Sequence, residues 1–163
     1  MGMNAPRATP DDYIAFLVAT PCEGTATGMA RCQPVRPDSP AHDSFTRLLN
    51  RLEPDAEALW AEVRPLLPKQ GVPVFDDTVL DKPFARHMGL LGRHWSGRHK
   101  RVVQGINLVT AVWTDGDALW PCDYRLVDKS VDDGTKNDHL RQMLDTAAQR
   151  GLAPSCVCFV SVR

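Results

Sequence analysis

Apolar positions fall on helical spacing in the first 67 residues and in strand-like runs after Gly71. Tyr13, Phe16 and Leu17 lie at i, i+3 and i+4, which predicts a short helix over Asp11–Ala19. Pro21, Gly24, Gly28, Pro34 and Pro37 mark the stretch Pro21–Pro40 as loop. Phe45, Leu48, Leu49 and Leu52 form one apolar stripe, so Ala41–Leu52 is predicted helical. Pro54 suits a helix start, where its missing N–H is harmless. Ala56, Leu59, Trp60, Val63 and Leu67 carry a second stripe that Pro65 disturbs. Residues 1–68 therefore read as a small helical module.

The period then changes. Val72–Asp76 is short and apolar and runs into Asp76-Asp77-Thr78, the pattern of a buried strand emerging at its polar end. Val102–Trp113 is rich in β-branched residues and predicts a strand. Ala118–Val127 is its expected partner, because Thr114-Asp115-Gly116-Asp117 contains a hairpin turn. Lys129–Lys136 reads as polar loop. Lys136–Arg150 is helical, with Leu140, Met143, Leu144, Ala147 and Ala148 on one face and Gly151 as its stop. Cys156–Val160 is a final apolar strand. Strand, hairpin, helix and strand in that order predict a mixed α/β layer over residues 69–163.

Charge sharpens this division. The formal net charge is −1, with 19 Lys plus Arg against 20 Asp plus Glu, so no global polycation is present. The balance hides segregation: all four glutamates lie before residue 63, and no acid occurs between Lys82 and Thr114. Lys82, Arg86, Arg93, Arg98, Lys100 and Arg101 fill that acid-free window, together with His87, His94 and His99. No apolar run has the length of a membrane span, and the first residues lack the apolar core of a secretory signal. Five cysteines, of which only Cys156 and Cys158 are close, argue against a disulfide framework and for a reducing, cytoplasmic setting.

Three features could carry chemistry. A carboxylate from Asp76 or Asp77 at a strand end suits Mg²⁺, which takes hard oxygen ligands, although a turn or cap suits the same pair. The acid-free window suits phosphate, with Trp95 among its cations as a stacking residue, although a solvated loop has the same composition. Thr135 or Asn137 can cap the long helix, with Asp138 in its first turn. Zinc is not expected. His94 and His99 have no cysteine pair nearby, and Cys156 and Cys158 are read as small buried apolar residues.

These residues resemble a known family when taken as ordered blocks. Phe75-Asp-Asp-Thr-Val-Leu-Asp-Lys-Pro83, Arg93-His-Trp-Ser-Gly97 and Lys100-Arg-Val-Val-Gln-Gly-Ile-Asn107 are similar to bacterial insertion-sequence transposases of the DDE class. So are Trp113-Thr-Asp-Gly116, Pro121-Cys-Asp-Tyr-Arg125 and Gly134-Thr-Lys-Asn-Asp-His139, while Tyr13-Ile-Ala-Phe-Leu17, Ala41–Leu49 and Leu52-Glu-Pro54 resemble the family's leading module. The resemblance implies a ribonuclease H-like catalytic domain after the helical module. It also implies two Mg²⁺ ions held by two aspartates and a glutamate, with DNA element ends as substrate. The first aspartate would be Asp77, which precedes Thr78 as in the family motif, or else Asp76. Arg93, Arg98, Lys100 and Arg101 would hold DNA.

The match then breaks. Val160 stands where the resemblance places the second metal-binding aspartate, Val162 where it places a tryptophan, and no glutamate follows Glu62. The expectation is an incomplete ribonuclease H-like sheet with a packed helix, in a truncated chain that is inactive by itself. A frameshift or premature stop would produce it, as would a first frame completed by programmed slippage. The alternative is a non-catalytic DNA-binding module that inhibits intact transposase or oligomerises with it, using Ala41–Leu52 as a recognition helix with Arg47 and Arg51.

Overall fold

The computed structural model describes residues 7–21, 24–53, 55–128, 131–132 and 134–160. They fall into two compact units, Met1–Pro54 and Asp55–Arg163. Pro54, Val162 and part of the expected 129–136 loop lie outside the described residues.

The first unit holds α1 (Pro10–Ala19), α2 (Ala26–Arg31) and α3 (His42–Arg51). Thr9 caps α1 in a reciprocal box with Asp12, whose carboxyl is held below its ordinary range by the Thr9 side chain and N–H. Ala8, Phe16, Met29, Phe45 and Leu48 form the core. The stretch Pro21–Pro40 is not all loop. Thr25 caps α2, and Met29, fully buried, anchors it, so tertiary burial overrides the turn-rich composition.

The second unit opens with α4 (Ala56–Val63), which runs into a 3-10 turn at Arg64–Leu66, where Pro65 stands. On sequence α4 belongs with the first helices, within residues 1–68. In the structure it lies in the second unit, where Trp60 and Val63 pack with Trp113 and Cys122 of the sheet. The Arg150 guanidinium sits 4.8 Å from the centre of the Trp60 ring and bonds Glu57 at 2.6 Å and the Cys122 carbonyl at 2.9 Å. Arg150→Ala is expected to lower stability by about 1–2 kcal/mol, since it removes a desolvated cation–π contact and leaves a buried carbonyl unpaired. Urea unfolding checks this; an unchanged midpoint refutes it.

The sheet consists of β1 (Val72–Asp81), β2 (Gly92–Ser96), β3 (Arg101–Thr114), β4 (Leu119–Val127) and β5 (Cys158–Val160). The long central strand β3 pairs antiparallel with β1, β2 and β4, and β5 joins the free side of β1 in parallel. The predicted hairpin from Val102 to Val127 is present as β3 and β4. Gly116, at φ 103°, supplies the left-handed residue in its turn. Pro121 is accommodated at a register shift opposite Ala111 and Val112, so it interrupts no regular ladder.

Helix α5 (Lys136–Gln149) covers one face of the sheet. Leu140 and Met143 pack there on Phe75, Val109, Ala111 and Val127. Gly151, at φ 81°, follows the helix end, as its predicted stop requires. The result is an α/β fold with a mixed five-stranded sheet, as expected.

Three sequence expectations need correction. β1 does not end at Asp76; Thr78–Asp81 continue it because they pair with Leu108–Gly105 of β3. Residues 92–96, which lie in the acid-free window and for which the sequence predicts no strand, form β2. Cys156 and Cys158 are exposed, not buried, because β5 spans only three residues and sits at the sheet edge.

Candidate active site

Strand alternation sets which carboxylate faces the helix. Phe75 is fully buried under α5, so Asp77, two residues on, shares that face and Asp76 takes the opposite one. The N-terminus of α5 stands over Asp77. Thr135 and Asp138 fix that terminus in a capping box, with the Asp138 carboxylate 2.8 Å from the Thr135 nitrogen and 2.7 Å from its hydroxyl. These bonds from Thr135, its backbone N–H first, hold the Asp138 carboxyl below its ordinary value. The cap thereby fixes the start of the next residue, Lys136, whose ammonium is ion-paired with Asp77 Oδ2. Both side chains are largely buried, 22% and 11% exposed.

Asp76, Asp77 and Lys136 open onto a cleft of about 970 Å³ bounded by β1 and the β2–β3 hairpin. Arg98 and Lys100, in the turn between β2 and β3, line it, and Arg93 and Arg101 are not in its lining. Lys100 adopts φ 49° in that turn. His99 approaches Asp81 at 3.4 Å, and its backbone N–H donates to Ser96 Oγ at 3.3 Å. The structure thus gathers Asp76, Asp77, Arg98 and Lys100, and leaves Arg93 and Arg101 exposed on the strands beside the hairpin turn. In the first unit, the two cations of α3 are engaged locally: Arg47 with Asp43 at 3.0 Å and Arg51 with the Ala8 carbonyl at 2.7 Å.

Lys136 is the site residue that sequence reasoning missed. Its sequence signals are its place in the first turn of a capped helix and within the family-like block Gly134–His139, and neither gives a hint of a partner 59 residues away.

The family model for DDE superfamily endonucleases matches residues 7–159, and the chain belongs to that family. The mixed sheet with its covering helix is consistent with a ribonuclease H-like fold. Members of the family act on DNA and generally use divalent metal ions. No curated protein and no solved structure matches the chain. No helix among the described residues is long and apolar enough to cross a membrane.

A two-cation centre needs several oxygen ligands converging on one point. The described residues do not fit that need. Lys136 already neutralises Asp77, and Val160, in register beside Asp76, offers no lone pair. No group of three His, Cys, Asp or Glu side chains converges among the described residues.

Proposed function

We propose that this chain is a transposase-type protein of DNA transposition that holds DNA in the cleft beside β1 and does not cut it by itself. The observation that carries the reading is the pair Lys136–Asp77, a fixed ammonium where the family's chemistry needs a carboxylate open to Mg²⁺. On the other face of β1, Asp76 has the hydrocarbon side chain of Val160 in register beside it, not a second carboxylate. What remains is a cleft edge with cations suited to phosphate, Lys82 just after β1 and Arg98 and Lys100 in the hairpin turn. The inhibitory role follows naturally: a chain that occupies element ends without cutting them competes with intact transposase.

The test is a binding and cleavage assay on one sample. End-labelled DNA incubated with the purified chain and Mg²⁺ or Mn²⁺ is expected to shift in a gel and to stay uncut. Metal-dependent cleavage that disappears in Asp77→Ala would overturn the proposal.

A further inference from the structure

Of the four tryptophans, Trp60 and Trp113 are buried and Trp120 is half-buried, whereas Trp95 is 59% exposed. Its position is fixed by the sheet. Alternation along β2 turns His94 and Ser96 inward and sends Arg93 and Trp95 outward. Its cross-strand partner, Val102, is itself 50% exposed, so the ring has an apolar neighbour at its side. Trp95 is among the residues that line the same cleft as Arg98, Lys100 and Lys136.

An intact duplex presents phosphates and base edges to a protein, while its base faces are covered by their stacked neighbours. Cations read the phosphates of either form. An aromatic face beside them gains contact only where a base has left its stack. Resting on the DNA reading above, we infer that the cleft takes an unpaired strand of DNA, with a base stacked on Trp95 and flanking phosphates on Arg98 and Lys100. Lys82, Arg98, Lys100 and Lys136 set against Asp76, Asp77 and Asp81 leave the lining one net positive charge, and the exposed ring selects the unpaired form.

The probe is a labelled oligothymidylate of about twelve nucleotides, compared with a duplex of equal length at one salt concentration. The full chain is expected to bind the single strand more tightly, with quenching of tryptophan fluorescence. Trp95→Ala should weaken single-strand binding about tenfold and duplex binding clearly less, and Trp95→Phe should keep most of the single-strand affinity. Trp95→Leu retains apolar bulk without a ring and serves if the alanine variant does not fold; it too should lose single-strand affinity. Equal affinity for both forms, or single-strand binding indifferent to the ring, overturns the inference. Failure to bind either DNA overturns the DNA reading of the cleft itself.

Discussion

Phe75→Ala is expected to lower the unfolding free energy of the second unit by about 3–5 kcal/mol, the cost of a large cavity in a packed core. Phe75 is fully buried among Val109, Ala111, Val127, Leu140 and Met143 and stacks on Phe159 with ring centroids 5.6 Å apart. Its neighbours come from several strands and one helix, so no single element can move to fill the space it leaves. Such a loss is a large share of the ~5–15 kcal/mol that a domain has in hand. All four tryptophans lie in the second unit, so their fluorescence during urea unfolding follows that unit alone. Phe159→Ala gives the scale. That ring is 52% exposed, and its loss should cost about 1 kcal/mol. Equal midpoints for the two variants would show that Phe75 is not the centre of this core.

The same residue links stability to the site. Phe75 and Asp77 share one face of β1, so the packing that holds the ring under α5 also sets where the carboxylate points. Lys136 and Met143 belong to the same helix, which ties the ammonium to the core as well. The Lys136–Asp77 pair is therefore held by the fold and not by a loop. Removing either partner leaves the other charge largely buried and uncompensated.

Much of this architecture is legible in the sequence, and what is not has identifiable causes. Helices α1, α3 and α5 announce themselves because their apolar residues repeat at helical spacing. The hairpin of β3 and β4 does so because a β-branched run leads into a turn containing Asp115-Gly116. Strand β2 is hidden because Arg93, His94 and Trp95 lie in a charged window whose composition suits a phosphate site or a solvated loop equally. Its only trace is a period of two in burial, visible once Val103 and Gly105 lie opposite. The far half of β1 is hidden for the same reason, since Thr78–Asp81 are extended by their pairing with β3. Local composition carries no record of a partner strand. The carboxylates of the site could be named in advance because acids at a strand are conspicuous. Lys136 could not, because an ion pair that joins a helix start to a distant strand exists only after the sheet and helix have docked.

The double variant Arg98→Ala with Lys100→Ala is expected to weaken DNA binding about two-hundredfold at ~50 mM salt and about twentyfold at ~200 mM. Both figures follow from counterion release, in which each neutralised phosphate contributes roughly 0.9 to the slope of log affinity against log salt. Without the two cations that slope falls by about 1.8, and extrapolating both lines to a crossing near 1 M gives the two ratios. Both side chains line the cleft from one turn, so a strand lying there meets them together. Arg93 and Arg101 lie outside that lining, and removal of either is expected to have a smaller effect. Lys69, exposed on the approach to β1, is a control that changes net charge by the same unit as each of these substitutions. A salt titration of the gel shift separates local binding from overall charge. If Lys69→Ala alters the slope as much as Arg98→Ala does, the cations act through the net field of the protein and the cleft is not where DNA lies.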